Sequence, residues 1–347
     1  MYFVQNLENC DFLGLFILFI IYKCYNITDE VLMTNINLKE YKTPEEIIEI
    51  LKGRGMTFNN PIRAKRILTN NNYFFLKGYN ELFLKDEENY KNNVDFEDLY
   101  SLYNLDKDIK TLIFRHLLDI EQKIKANLSN HISSKYGVTE EDYLDESNYD
   151  PNNPFIKETL DKINEQKKIY GEKNEAVKYY LDKYNYVPLW VLSKSLTMGV
   201  IRNLYYILKS DEQDRISKEI LTIDITTKRV VKLKNIIALL TDVRNMCAHD
   251  EMLIPYKHKR IHLSEMPEHK HFKFKRNKTG DLIEGNCDLF AIILSIKYLV
   301  NKTTYNSFIQ SLESLINKFL KKHPNIKRKE LLKYMNLPIN YENLKNI

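Results

Sequence analysis

The stretch DKDIKTLIFRHLLDIEQKIKANLSNHISS, residues 106–134, decides the fold class. Ile109, Leu112, Ile113, Leu117, Ile120, Ile124, Leu128 and Ile132 recur at steps of three and four, which lays one apolar stripe along an α-helix. One long amphipathic helix is expected. On its other face Asp119 with Lys123 and Glu121 with Lys125 stand four apart and read as solvated pairs worth a few tenths of a kcal/mol.

The helical period continues outward from this segment. VPLWVLSKSLTMGVIRNLYYIL (187–208) reads as one buried helix opened by Pro188, with the only tryptophan, Trp190, in the core; Tyr79 reads as core too. RVVKLKNIIALLTDVRNMCAH (229–249) puts Val231, Leu233, Ile236, Ile237, Leu240 and Val243 on one side. Residues 154–180 read as exposed helix. Helices resume near Leu289, run to about Lys321, and a short segment KELLKYMNLPINYENL closes the chain. Nine Gly and nine Pro among 347 residues supply few tight turns, and 44% hydrophobic content can build a core, so a folded globular protein in which helices are favoured follows.

Composition also narrows the chemistry. A net charge of +5 suits a polyanionic partner without a nucleic-acid-binding tail. Cys10, Cys24, Cys247 and Cys287 form no CxxC pair and no regular spacing, so neither a disulfide framework nor a zinc site is indicated, and a cytoplasmic location fits. The apolar run Phe12–Tyr22 is shorter than the roughly 20 residues a spanning helix needs, and Glu8 and Asp11 precede it where a signal peptide carries positive charge, so no membrane partner is expected. Residues 1–32, an apolar segment, read either as a core or interface helix or as translated sequence ahead of a natural start at Met33, after which Thr43, Pro44 and Glu46 form a helix-start signature.

Between Lys257 and Lys278 lie eight Lys or Arg and four of the eight histidines, followed by a turn signal in NKTGD beside the alternating HFKFK. This reads as a basic loop with a hairpin that faces RNA. Its lysines would repel a cation from His258, His262, His269 and His271, so no metal is assigned. Phe272 and Phe274 either stack on bases or are buried in the hairpin, the latter being the more ordinary outcome.

One segment stands out chemically. TDVRNMCAHDEML (241–253) places Arg244 and His249 five positions apart, with Asn245 after the arginine. Five residues of regular helix turn through roughly 140°, so the two side chains meet one groove only near a helix end or against a partner. A guanidinium fork suits phosphate and an imidazole moves protons near neutral pH, which together match metal-free phosphodiester cleavage. The plain alternative is a helix-end histidine and a surface arginine. Cys247 reads as a small buried residue and not a nucleophile.

RNMCAH resembles the R-x4-6-H motif of the HEPN superfamily, and its surroundings resemble the Abi-like (AbiD/AbiF-type) abortive-infection branch. YFFLKGYNELF (73–83), residues 102–137, VPLWVLSKSLTMG (187–199), LTDVRNMCAHDEML (240–253) and MNLPINYENL (335–344) resemble that family's blocks in the same order, spanning about residues 40–345. The resemblance implies an all-α, HEPN-type helical bundle with an N-terminal helical extension: a helical region at 33–95, the HEPN-like core at 96–256, the basic loop or hairpin at 257–288 after the R-x4-H helix, and C-terminal helices at 289–347. It implies a metal-independent endoribonuclease without cofactors, in which the RNA 2′-hydroxyl attacks the adjacent phosphate.

Carried over by position, His249 is the acid/base, Arg244 the phosphate contact and Asn245 the orienting group, with Glu121 and Asp250 behind them. Lys125 stands where relatives often have arginine, which puts a phosphate role there in doubt. A single motif implies a homodimer with one composite site. RNA is the expected partner, both as substrate and as a small non-coding RNA antitoxin or its equivalent. Lys257, Lys259, Arg260, Lys273, Lys275 and Arg276, with Arg63 and Arg66 on a second surface, are the expected RNA contacts. The competing class is a non-catalytic HEPN module that binds RNA or protein.

Overall fold

The computed structural model describes residues 40–171 and 173–347. The apolar run Phe12–Tyr22 and the Met33 start lie outside the described residues. The fold is all-α: the described residues contain helices and isolated β-bridges but no strand. No helix among them is long and apolar enough to cross a membrane. Residues 48–347 form one compact unit, and the described residues before Ile48 belong to another. At the chain's first described helix, α1 (Pro44–Gly53), Thr43 and Glu46 exchange the two hydrogen bonds of a capping box, at 2.7 and 3.3 Å.

After α2 (Pro61–Lys77) comes the central element, α3 (Phe96–Tyr136), a helix of 41 residues and about 60 Å. It starts at an Asp95 capping box completed by Asp98 and stops at Gly137, whose φ of +123° favours glycine. A Cβ at Gly137 would also lie 2.3 Å from the Asp142 carboxylate. All of the apolar stripe is buried except Leu112, which is half-buried.

Eleven further helices surround or extend this axis: α4 (Glu140–Tyr143), α5 (Ile156–Gly171), α6 (Glu175–Tyr184), α7 (Leu189–Leu192), α8 (Met198–Ile207), α9 (Ser210–Ile220), α10 (Arg229–Ala248), α11 (Pro267–His271), α12 (Leu289–Lys297), α13 (Lys302–Lys322) and α14 (Arg328–Tyr334). Helices α13, α10, α7 and α9 pack on α3, and α10 packs in turn on α8, α9 and α12. These contacts cover the flanks of the stripe as well, while the opposite face, with Thr111, Arg115, Leu118, Asp119 and Gln122, stays exposed. Lys123, expected in a solvated pair with Asp119, instead donates to the carbonyls of Ile220 (2.6 Å) and Leu299 (3.0 Å), and burial holds its ammonium below the ordinary lysine value. Glu121 and Lys125 do pair, at 2.8 Å, but both are largely buried.

Three further expectations are corrected. Residues 187–208 form two helices, because Thr197 caps α8 through Val200 N–H and the chain turns between Ser193 and Leu196. Trp190, on the short α7, is 40% exposed rather than core. Val231 is 50% exposed because it lies in the first turn of α10, ahead of Leu233 where that helix enters the core. Tyr79 is buried as expected.

The junction of α3 and α9 holds a titratable cluster. Burial pushes the Glu212 carboxyl up, but hydrogen bonds from Lys135, Tyr136 and His131 outweigh it and hold the group below its ordinary 4.5. A carboxylate depressed in the fold contributes stability that is present above its unfolded pKa and is lost as pH falls through the folded value. Urea denaturation between neutral pH and the acid limb should therefore show a loss of stability below about pH 4.5 that is shallower in Glu212→Gln. Equal acid slopes in the two proteins would refute this assignment.

Candidate functional site

The R-x4-H segment occupies the C-terminal end of α10. Ala248 is its last helical residue, His249 is the C-cap (φ −98°, ψ 9°), and Asp250 follows in the left-handed region at φ +54°. His249 N–H donates to Asn245 O and Glu251 N–H to Met246 O, both at 3.0 Å, so the helix closes in a Schellman-type turn. The histidine therefore stands at a helix end, where the strict 140° offset from Arg244 no longer applies.

The side chains of the motif differ in support. Arg244 Nε donates to Glu121 Oε2 at 3.3 Å, while Lys125 Nζ donates to Glu121 Oε1. One buried carboxylate thus holds the arginine from behind and leaves much of the guanidinium free. Asn245 and His249 are exposed, and neither side chain hydrogen-bonds to a described residue. Burial pushes the Cys247 thiol up to about 12, which removes it as a nucleophile.

Behind the turn lies a polar network of which sequence reading named only Asp250 as part of the site. Lys110 of α3, itself buried, reaches Asp250 Oδ1 at 2.5 Å, Asp106 Oδ2 at 3.1 Å and Glu251 O at 3.1 Å. Asp106 accepts from Tyr79 O–H (2.6 Å) and Leu253 N–H (3.1 Å). Gly78 leaves room for Met252, whose Sδ would sit 2.7 Å from a Cβ there. Residues 73–83, 102–137 and 240–253, separate in sequence, meet at this one turn. Among the network's contacts, only the four-residue spacing of Asp106 and Lys110 was visible beforehand.

The expected RNA contacts separate into two sets. Lys257, Lys259 and Arg260 line a cleft of about 520 Å³ together with Asn245 and Met246. His258 stands in the same wall: its Nδ1 accepts from the N–H groups of Arg260 and Ile261, so Nε2 carries the proton donated to Asp242 at 2.8 Å. Elsewhere the cations are engaged. Arg276 forks onto Glu265 (2.9 and 3.2 Å), Lys275 pairs with Glu284 and Arg63 with Glu97, whereas Lys273 and Arg66 are exposed.

The basic segment is more ordered than a loop. It contains α11, a hairpin turn closed by an Arg276–Leu282 bridge, and the buried Glu268, which accepts from Lys297 (2.6 Å) and Tyr298 (3.0 Å). His269 accepts from Met266 N–H and donates to Gly285 O, so both its nitrogens are occupied, and burial lowers its pKa. Phe272 and Phe274 pack on Phe290 at 5.2 and 4.6 Å, the ordinary outcome expected for them.

A family model described as Abi-like protein matches residues 66–255. The chain belongs to the Abi-like protein family. No curated protein and no solved structure matches it. The part shared with the Abi-like family runs from α2 to Pro255 and so takes in Tyr79, Asp106, Lys110, Glu121, Arg244 and His249. Lys257 and the whole basic segment fall outside it.

Proposed function

We propose that this Abi-like protein acts in abortive infection as a metal-independent endoribonuclease of the HEPN type. The observation that carries the reading is the asymmetry of the motif: Arg244 is braced by the buried Glu121, while His249 at the helix end presents an imidazole that bonds to no described residue. A braced guanidinium suits a phosphate whose charge grows during reaction, and a free imidazole suits proton transfer. In this mechanism the 2′-hydroxyl of the RNA attacks the adjacent phosphorus, the bond to the 5′-oxygen breaks, and a cyclic phosphate and a 5′-hydroxyl result. His249 takes the 2′-hydroxyl proton or delivers one to the leaving oxygen, Arg244 binds the phosphate and Asn245 orients the pair.

A single histidine performs one of those two transfers at a time, so a second copy of the chain supplies the other motif in a twofold dimer. A small RNA or another antitoxin holds the enzyme silent until infection. The test is incubation of purified, RNA-free protein with end-labelled RNA in EDTA, with end groups mapped and mass measured by light scattering. Cyclic phosphate ends from a dimer are the expected result. Intact RNA would replace this reading with a binding module that grips phosphate through Arg244 and His249.

A further inference from the structure

Three clefts on the unit of residues 48–347 share one side chain, that of Lys257. The first is the cleft of about 520 Å³ beside Asn245 and Met246. A second, about 560 Å³, opens between Lys91, Lys333 and Tyr334. The third, about 400 Å³, is walled by Lys273 and the half-buried Phe272 and Phe274, and it shares Lys333 and Asn336 with the second. Backbone pairing of Lys257 with Asp288 fixes the lysine at the junction.

Net charge in these walls is nearly balanced, so pairing decides their electrostatics. The acids are mostly consumed: Asp242 by His258, Glu284 by Lys275 and Glu330 by Lys91, while Asp288 accepts the N–H groups of Gly285 and Ala291 at the start of α12. Glu81 and Glu251 have no ion pair among the described residues. Lys257, Lys259, Arg260, Lys273 and Lys333 make no side-chain hydrogen bond or ion pair with a described residue, although Lys257 lies within electrostatic reach of Asp288, and all are exposed. Five unpaired cations strung along joined clefts fit a chain of phosphates. The recesses between them, each the size of a small-ligand pocket, fit bases that are not stacked in a duplex.

We infer that the three clefts form one track for single-stranded RNA, leading away from Arg244 and His249 and pivoting at Lys257. The inference rests on the nuclease reading for its ligand, and it extends the RNA-binding surface beyond the family-matched residues to Lys333. Lys275 and Arg276 serve instead to hold the hairpin, through Glu284 and Glu265.

The test uses the full chain carrying His249→Ala, so that RNA is not consumed, and fluorescence anisotropy of one labelled single-stranded RNA and of the duplex of the same sequence. Lys257→Gln, Lys273→Gln and Lys333→Gln should each weaken single-strand binding about threefold or more and lower the slope of log affinity on log salt by about 0.7. Lys302→Gln, outside the clefts, is the control, and thermal melting verifies folding. Unchanged affinity in the three variants, a loss confined to Lys257→Gln, or equal binding of the duplex would overturn the track. The parent readings separate cleanly: lysine-dependent binding with no cleavage by the wild type keeps the track and removes the nuclease, and cleavage with lysine-independent binding does the reverse.

Discussion

His249→Ala protein should leave RNA intact. A positioned acid/base contributes about 10²–10⁴-fold to proton-transfer catalysis, so cleavage in EDTA should fall by at least about a hundredfold. Expression of the wild type is expected to arrest growth, and the same change should abolish that arrest. Folding is not at risk, because the imidazole is exposed and bonds to no described side chain. Arg244→Lys should fall short of this loss: the charge stays near Glu121, but the planar fork that meets two phosphate oxygens is gone, and about tenfold or more of activity goes with it. Growth arrest or phage resistance that survives His249→Ala would show that the motif binds and does not cut.

How much of this was legible in the sequence depends on distance along the chain. The stripe from Ile109 to Ile132 is buried almost to the residue, because a three-and-four spacing is a local property that α3 keeps over its whole length. The same spacing misled at Lys123. Periodicity separates an apolar face from a polar one, but it reports a wet face only where a helix is covered on one side. With α9 and α13 also packed on α3, Lys123 on the flank bonds to carbonyls in place of water, while Asp119 on the outer face stays exposed. At 187–208 a continuous apolar pattern hid the cap at Thr197, whose hydroxyl competes for backbone N–H and so divides what hydrophobicity alone joins.

Arg244, Asn245 and His249 were legible as residue types with a resemblance behind them. Their supports were less so. Glu121 came from the resemblance, and its spacing to Lys125 suggested a surface pair, not a buried brace for an arginine on another helix. Lys110 and Asp250, 140 residues apart, carry no local signal for one another at all. The basic segment shows the opposite error: its charges and turn signal pointed to a loop with a hairpin, and the hairpin turn is there, but Glu268, Lys297 and His269 also build a buried polar interior beneath it.

Lys110→Met should cause the largest loss of stability in the site. The lysine is buried between Asp106, which is fully buried, and Asp250, and it also satisfies the carbonyl of Glu251. Removing one partner of a buried ion pair costs about 3–5 kcal/mol, since the remaining charge keeps its desolvation without its counter-ion. A pH signature distinguishes this from simple loss of packing. Burial already raises Asp106 above its ordinary 3.8, against the pull of Tyr79 and Lys110. A carboxyl raised in the fold contributes most below its unfolded pKa, and that contribution is lost as pH rises through the folded value. Without Lys110 the folded value moves higher still, so Lys110→Met should be far weaker than wild type at about pH 8 and recover part of the difference near pH 5. Chemical denaturation at both pH values measures it, and equal deficits at the two would mean that Asp106 is not the group left behind. Activity should fall even where the variant is folded. Asp250 holds the left-handed turn after His249, and once its ammonium partner is gone the C-cap is no longer tied to α3. The Lys110→Met, Asp106→Asn double variant separates the two roles: it should regain stability, because no buried charge remains, without regaining cleavage, because Asp250 is still unheld.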